Sequence, residues 1–399
     1  MIKAPTSLAV NFSANQPGVG RTVVLIATAS STTGAAPTGT VSFADVTGGG
    51  NVALGSATLV GGQAGYPASF LSTGPRTIQA TYSGDNNFLG SAPAQNSLTV
   101  VPAMTAATIA SNRAPSVYGQ AVTLSAHVTA PSGGQPTGNI TFLDGANSLG
   151  TVASDGSGVA QLTTTALTAG LHSLTAVFDD PNHNFLGTTS GTLSQTVTPA
   201  ATRTEIVSSA NPWDPSKGTL QLIATVAGQF GGAVTGSVDF TDSSVGALGS
   251  AVLDQSGTAT LPSGLLSNGL HTITATYTPD SNNLGSTDGL MQLINPLGLA
   301  TPTITFTVSA NPVHRRQQAT LNIIVSGASG TPTGVVRLVD DDNILGGTDI
   351  TLDGGGAASL DITDHFTIGE HNIMLIYEGD GTYAGDIAFV KVDRTPKPR

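Results

Sequence analysis

The sequence repeats itself four times at an interval of about 98 residues. The clearest landmark is a Pro-Thr-Gly tripeptide, Val-Thr-Gly in one copy, which begins at Pro37, Pro136, Val234 and Pro332. An asparagine and a Leu-Gly pair recur in the same register, at Asn15, Asn112, Asn211 and Asn311 and at Leu54, Leu149, Leu248 and Leu345. Three landmarks with one fixed period predict four tandem domains of a single fold.

Prolines mark the joints between the copies. Pro102, Pro199 and Pro296 follow one another at intervals of 97 residues. Proline lacks an amide hydrogen and cannot continue a strand ladder, so it separates the last strand of one copy from the first strand of the next. The predicted domains are therefore 1–101, 102–199, 200–296 and 297–399, called copies 1 to 4 below. Copy 4 ends in a short basic, proline-rich tail that is interpreted as a linker.

The pattern inside each copy is that of short strands. In copy 2, the apolar residues from Val122 to Val128 alternate with polar ones, which predicts a strand with one buried face. About seven such strands, separated by turn residues, fit in each copy, and no helical period is present. The sequence thus predicts an all-β chain of four immunoglobulin-like sandwiches. Short joints indicate an elongated array in which sandwiches do not collapse onto each other's sides. An up-and-down barrel needs about eight strands and fits less well.

Composition excludes several classes of partner and site. The chain carries a net charge of -12 with a pI near 4.7, which opposes binding to nucleic acid or to anionic lipid. It has no cysteine, so disulfides and thiolate metal sites are excluded. Its start lacks the apolar stretch of a secretory signal, so no signal peptide is expected in this chain. No apolar run is long enough to insert into a membrane.

Four motifs resemble those of a known family. They are Pro-Thr-Gly-x-Val/Ile-x-Phe, Leu-Gly-Ser/Thr, Gly-x-His-x-Leu/Ile-x-Ala-x-Tyr/Phe and Gly-Asp-x-Asn-Phe-Leu-Gly-Ser. From Pro5 to Val392, the chain is similar to the tandem bacterial immunoglobulin-like (Big) repeats of bacterial surface and secreted proteins. The resemblance implies an extracellular array used as a stalk, spacer, adhesive or filament module, without catalytic residues. Copy 4 departs most from these motifs. Leu338 replaces the aromatic residue of the third strand, and Tyr383-Ala384-Gly385 replaces Phe-Leu-Gly, so the packing of copy 4 or its neighbour is expected to differ.

Acidic clusters after the sixth strand are the candidate metal sites. They contain Asp85, Asp180, Asp280 and Asp380, and Asn residues follow the first three. Carboxylate and amide oxygens suit calcium, but one or two carboxylates in each cluster predict only weak binding. The same composition is typical of turns in which Asp accepts hydrogen bonds from its own loop, and this interpretation is favoured. A second weak calcium candidate is the run Asp340, Asp341 and Asp342, for which a solvated hairpin tip is favoured. No other cofactor is expected.

Two further series recur at fixed positions. The first comprises aspartates that follow the Pro-Thr-Gly strand and are predicted to hold hairpin turns: Asp45, Asp144, Asp242 and Asp340. The second comprises His172, His271 and His371, with Arg76 in the same place in copy 1. Along the strand, these side chains point to the same face as the buried residues. Each is therefore predicted to cap the end of the core by bonding a loop carbonyl. A metal role is not expected, because arginine at this position does not ligate metals.

No arrangement of nucleophile and base emerges, so the chain is not expected to be an enzyme. The interpretation favoured by the sequence is a non-enzymatic, extracellular structural or adhesive rod of a bacterial cell-surface or secreted protein. One alternative is a self-assembling subunit of an extracellular filament or virion surface, since copy 1 carries a net charge of +1 and copy 4 of -5. Another is an accessory region of a secreted carbohydrate-active enzyme. The expected partners are neighbouring immunoglobulin-like domains, identical subunits, or a surface protein or glycan.

Overall fold

The computed structural model describes residues 2–264, 266–314, 316–340, 343–363 and 366–396, without the side chains of 343–348. The chain forms two compact units, Met1–Thr198 and Pro199–Arg399. The first contains copies 1 and 2, and the second contains copies 3 and 4. Apart from two single-turn 3-10 segments, Thr47–Gly49 and Pro215–Lys217, the regular structure of the described residues is all β, as predicted.

The first unit contains sixteen strands in its described residues. In copy 1 they are β1 (Thr6–Phe12), β2 (Val23–Ser31), β3 (Thr40–Asp45), β4 (Val52–Thr58), β5 (Gln63–Ala68), β6 (Gly74–Tyr82) and β7 (Ala94–Val100). In copy 2 they are β8 (Ala106–Ser111), β9 (Ser116–Val117), β10 (Val122–Thr129), β11 (Asn139–Asp144), β12 (Asn147–Ala153), β13 (Val159–Thr164), β14 (Gly170–Asp179), β15 (Thr188–Thr189) and β16 (Leu193–Thr198).

The second unit repeats this order. In copy 3 the strands are β17 (Thr202–Ser208), β18 (Leu220–Gly228), β19 (Gly236–Asp242), β20 (Gly246–Val252), β21 (Thr258–Ser263), β22 (Gly269–Pro279) and β23 (Thr287–Ile294). In copy 4 they are β24 (Thr303–Val308), β25 (Val313–His314), β26 (Thr320–Ser326), β27 (Val335–Asp340), β28 (Asn343–Thr351), β29 (Ala357–Asp361), β30 (Gly369–Tyr377) and β31 (Asp386–Thr395).

Each copy is a sandwich of two antiparallel sheets. The smaller sheet has three strands in the order β1-β2-β5 and its equivalents, and the larger sheet is built on the order β4-β3-β6-β7 and its equivalents. In copies 2 and 4 a short strand, β9 or β25, adds to the larger sheet by pairing in parallel with the last strand. This is the immunoglobulin-like arrangement that the strand count predicted.

The cores follow the alternation read from the sequence. In copy 2, Val122, Leu124, Ala126 and Val128 of β10 are buried, and they face Leu174, Ala176 and Phe178 of β14. Successive side chains of a strand point to opposite faces, so these residues form the inner faces of the two sheets. The single tryptophan, Trp213, packs into the core of copy 3. It therefore offers no exposed aromatic platform.

Candidate functional site

The loop aspartate of copy 1 ties together two distant motifs. Asp85 Oδ2 accepts hydrogen bonds from the backbone N of Thr38, at 3.0 Å, and from its hydroxyl, at 2.5 Å. Asp85 Oδ1 accepts hydrogen bonds from the backbone N of Asn87 and of Phe88, at 2.7 and 2.8 Å. The carboxylate thus joins its own loop to the Pro-Thr-Gly motif, which lies 47 residues earlier in the chain. We call this arrangement the Asp–Thr clasp.

Copies 3 and 4 contain the same clasp. Asp380 Oδ2 accepts hydrogen bonds from the backbone N and hydroxyl of Thr333, at 2.9 and 3.1 Å. In copy 3, the hydroxyl of Thr235 donates to Asp280 Oδ2 at 2.5 Å. Both motifs are recognisable in the sequence, but the hydrogen bonds between them were not predicted. The signal that could have revealed the pairing is that Thr and Asp recur together, at nearly the same separation.

Copy 2 lacks this clasp and also lacks the tyrosine that bonds the clasp threonine in copy 1. Where copy 1 has Tyr82, whose hydroxyl donates to the Thr38 carbonyl at 2.7 Å, copy 2 has Phe178. The carboxylate of Asp180 instead accepts hydrogen bonds from backbone N atoms within its own loop, at Asn182, Asn184 and Phe185. Asp180 therefore forms the local turn that composition predicted, without reaching the Pro-Thr-Gly motif.

Hydrogen bonds to a carboxylate stabilise its ionised form. The Thr38 hydroxyl and the loop amides hold the pKa of Asp85 well below its usual value. Burial opposes ionisation of Asp380, but the hydrogen bonds from Thr333, Thr382 and Tyr383 outweigh it and likewise lower its pKa. A calcium ion would have to displace these protein donors from the oxygens, which favours the turn interpretation of both residues.

The second calcium candidate is only partly within the described residues. Asp340 is described and contacts His371, whereas Asp341 and Asp342 lie outside the described residues. Among the side chains that the structure describes, no group of three or more His, Asp or Glu residues is placed to hold a metal ion. Weak calcium binding stays a prediction.

The recurring histidines bridge a turn aspartate and a loop carbonyl. In copy 2, His172 Nδ1 lies 2.7 Å from Asp144 Oδ2, and His172 Nε2 lies 2.8 Å from the Thr168 carbonyl oxygen. In copy 3, the same two ring nitrogens of His271 lie 3.0 Å from Asp242 Oδ2 and 2.9 Å from the Ser267 carbonyl oxygen. In copy 4, those of His371 lie 2.8 Å from Asp340 Oδ2 and 2.9 Å from the Thr367 carbonyl oxygen. We call this arrangement the histidine clamp.

The carbonyl contact was predicted from the sequence, but the aspartate contact was not. Strand pairing brings the partners together, since β11 pairs with β14 so that Asp144 lies opposite Leu174, two residues from His172 on the same face. In copies 1 and 3 the aspartate also holds its hairpin as predicted, because Asp45 Oδ1 accepts a hydrogen bond from the Thr47 backbone N at 3.0 Å and Asp242 Oδ1 accepts one from the Ser244 backbone N at 2.8 Å. Burial disfavours the ionised Asp242, but its hydrogen bonds prevail and lower its pKa to about 2.

In copy 1 an arginine makes the equivalent contacts. Arg76 NH1 donates to Asp45 Oδ2 at 3.5 Å, and Arg76 NH2 donates to the Ser72 carbonyl oxygen at 3.3 Å. The guanidinium thus binds the same two kinds of acceptor, a turn carboxylate and a loop carbonyl, that the histidines bind in the other copies. Each copy therefore holds one clamp at this end of its sandwich.

Copies 1 and 2 meet end to end. The backbone N of Thr73, in a loop of copy 1, donates to Asn184 Oδ1 of copy 2 at 2.9 Å. Val19 of copy 1 and Ala103 and Phe185 of copy 2 are buried, and the apolar cores of both copies form one continuous cluster. Gly20 allows the backbones to approach closely, because an added Cβ there would collide with the backbone of copy 2. The first joint is therefore an ordered contact.

Copies 3 and 4 meet through sheet faces instead. Leu293, on the outer face of the larger sheet of copy 3, packs with Val339 and Ile376 on the outer face of the larger sheet of copy 4. Asn295 fastens the contact, since its side chain donates to the Gly385 carbonyl and accepts from the Gly385 amide, at 3.0 and 2.9 Å. The expectation that no sandwich packs onto the side of the next is therefore wrong for copies 3 and 4, because apolar residues on the outer faces of their larger sheets bury one another. It agrees with the prediction that the packing of copy 4 departs from that of the others.

The repeat unit is also recognised by comparison with known families. Residues 10–101, 109–198, 207–293 and 305–392 match the model of the bacterial Ig-like domain (group 3). The chain belongs to this family. The matches include most of the sequence, with one in each copy, and they agree with the Ig-like sandwiches described above. No curated protein matches the chain.

Matches among solved structures include parts of two bacterial or adhesion proteins and one set of fibronectin-like modules. A tetra-tandem repeat in the extending region of a large adhesion protein is 18% identical, with 98% of this chain and 100% of that chain covered and a TM-score of 0.37. A structure of a 1.5-MDa bacterial ice-binding adhesin is 13% identical, with coverage of 74% and 99% and a TM-score of 0.23. Fibronectin(III)-like modules of Clostridium thermocellum CbhA are 18% identical, with coverage of 47% and 93% and a TM-score of 0.20. Similarity at this level carries no functional argument.

Within the part of the chain that the structure describes, no helix has the length and apolar character needed to cross a membrane.

Proposed function

We propose that this chain is a non-enzymatic, extracellular structural or adhesive rod that serves as a stalk or spacer in a bacterial cell-surface or secreted protein. The observation that carries the proposal is the joint between copies 1 and 2. There two Ig-like sandwiches share a continuous apolar core and an interdomain hydrogen bond from Thr73 to Asn184. A spacer needs joints of this kind, because a freely jointed chain would not hold its ends at a set distance.

The polar side chains that recur in the repeat support a structural role. The loop aspartates accept hydrogen bonds from their own turns and clasps, and the histidines each contact a carboxylate and a carbonyl. A catalytic base or nucleophile must instead reach a substrate within hydrogen-bonding distance. In the described part of the chain, these recurring groups are engaged in holding loops to strands.

Self-assembly is the second candidate, and a groove at one end of copy 1 favours it. Copy 2 receives copy 1 with its Gly133–Gly134 loop and with Asn184 and Phe185. The equivalent elements of copy 1, around Ala35 and Phe88, line an open groove of about 440 Å³. An Ig-like domain of an identical subunit or a neighbouring domain could occupy this end in the same way.

Small-angle scattering of the full chain tests the rod. A compact globule of this length would have a radius of gyration of about 21 Å, and the proposal requires a value well above it. A value near 21 Å at low concentration would refute the rod. Growth of the scattering mass with concentration would instead support end-to-end assembly.

A matched pair of variants tests whether the first joint is stiff. Gly20→Ala places a Cβ against copy 2, whereas Gly34→Ala adds a Cβ in open space at the same φ of 76°. Both variants carry the same backbone strain, so only the former should broaden the distribution of distances between copies 1 and 2 in the scattering data. Equal effects of the two variants would show that the joint does not restrain the domains.

A further inference from the structure

The histidine clamp needs two hydrogen-bond donors from one imidazole ring. In copies 2 and 3, both ring nitrogens of His172 and of His271 lie within 3.0 Å of an acceptor oxygen, one from a carboxylate and one from a carbonyl. A neutral imidazole has a single N–H, so one nitrogen would direct a lone pair at an oxygen. Only the imidazolium cation donates from both nitrogens.

The acceptors cannot supply the missing proton. A backbone carbonyl is an acceptor only, and the carboxylate of Asp242 is ionised near neutral pH because its turn hydrogen bonds lower its pKa to about 2. His271 and Asp242 are also almost fully buried, with side-chain exposures of 3% and 0%. A buried, ionised carboxylate requires a compensating charge or strong donors.

Copy 1 provides an internal comparison. Arg76 binds a carboxylate and a carbonyl from the same repeat position, and arginine keeps its charge at every pH at which proteins fold. The element common to the residues found at this position is a cation that donates in two directions. Histidine can fill that role only when it is protonated.

We propose that copies 2 and 3 each hold this histidine as an imidazolium that donates to a carboxylate and to a carbonyl, and that the clamp of copy 2 weakens as the medium becomes alkaline. Arg76 keeps the clamp of copy 1 closed. The array therefore contains a copy whose stability depends on pH beside one whose clamp does not.

The surroundings of the two histidines contain few other charges. Among the described residues facing His172, Asp144 is the charged group, and the strand-paired neighbour Gln195 is neutral. His271 faces Asp242 and the neutral Gln292 in the same way.

His371 has additional neighbours. It contacts the ring of Phe366, whose carbonyl binds the cation Arg394, and residues 364 and 365 lie outside the described residues. The proposal is therefore restricted to copies 2 and 3.

The direction of the pH effect follows from proton linkage. Burial disfavours protonation of His172, but its hydrogen bonds to Thr168 and Asp144 outweigh burial and raise its pKa. The stabilisation is fully present below the unfolded pKa of about 6.5 and is lost as pH rises through the higher folded value. One proton per copy limits the change to about tenfold in the unfolding equilibrium for each pH unit.

Histidine NMR of the full chain tests the protonation state directly. With isotope-labelled histidine and assignment by single substitutions, both ring nitrogens of His172 and of His271 should carry a proton in the folded protein, and those of His172 should keep it above pH 6.5, the usual histidine pKa. If His172 has one unprotonated ring nitrogen as soon as the pH exceeds that usual value, the proposal is wrong.

Hydrogen exchange of the full chain tests the consequence for stability. After correction for intrinsic rates, protection of β11 and β14 should fall by up to about tenfold per pH unit above neutrality, while copy 1 stays constant. His172→Arg should remove the pH dependence and His172→Gln should lower protection already at acidic pH. Equal pH dependence in His172→Arg and the unmodified protein would overturn the proposal. If either variant fails to fold, the NMR experiment on the unmodified protein tests the proposal instead.

Discussion

The contact between copies 3 and 4 can be broken by a single substitution. Ile376 is fully buried although it lies on the outer face of β30, a face that solvent covers in an isolated sandwich. At the equivalent position copy 1 has Thr81, copy 2 has Val177 and copy 3 has Thr276. We therefore expect Ile376→Thr to restore the residue type of an uncovered sheet face without disturbing the strand, because threonine is favourable in strands.

The expected cost comes from lost burial and from an added hydroxyl. Burying an isoleucine side chain contributes about 1.5–3 kcal/mol, of which threonine keeps only the part due to its methyl group. A buried hydroxyl without a partner costs about 1–3 kcal/mol more. Since the interface can open and admit water, we expect a net loss of about 2–3 kcal/mol of docking free energy. This corresponds to roughly 30- to 150-fold in the docking equilibrium.

Hydrogen exchange of the full chain measures the loss. Docking stabilises copy 4 by linkage, so the slowest amides of β30 and β31 should exchange faster in Ile376→Thr. The control is Val177→Thr in copy 2, which makes the same kind of change at a half-exposed equivalent position and should shift stability by no more than about 0.5 kcal/mol. If Ile376→Thr leaves the protection of copy 4 unchanged, or if the control has an equal effect, the interface contributes no stability.

Three further predictions concern single copies. In Asp85→Asn, an amide nitrogen replaces the oxygen that accepts the Thr38 hydrogen bonds, so backbone amides near the clasp should exchange faster with solvent. In the unmodified protein the pKa of Asp85 is lowered, so the stability that its ionised form contributes should be present above pH 4 and lost as the pH falls through the folded pKa. Calorimetric titration with calcium should give dissociation constants no tighter than about 0.1 mM, and a micromolar site would contradict the turn interpretation. Residues 102–199 should fold alone with a cooperative melting transition in circular dichroism, and an unfolded product would show that the repeat is not the domain.

Much of the fold was predictable because its determinants are local. The repeat of Pro-Thr-Gly, the alternation from Val122 to Val128 and the turn residues depend on a period of two and on short-range backbone preferences. Such features predict strands, turns and buried faces without knowledge of distant partners. The sandwich architecture follows, since strands with one apolar face must bury that face against a second sheet.

The candidate sites were predictable only as separate series. Asp144 and His172 stand 28 residues apart, and Asp85 and Thr38 stand 47 apart. Their pairing depends on the register between strands, which turn lengths and core packing set together. The sequence identified each residue as structural, but the bond between the partners, and with it the inferred charge on the histidine, required the tertiary structure.

The joint between copies 3 and 4 shows most clearly which features depend on the sequence alone and which depend on the tertiary structure. The run from Ile373 to Tyr377 is apolar on both faces of its strand, so the sequence alone already determines that the outer face of copy 4 needs a cover. It does not determine which surface provides that cover. Only the tertiary structure shows Leu293 of copy 3 there, because the hydrophobic effect favours burial without specifying a partner, and shape and linker geometry select one.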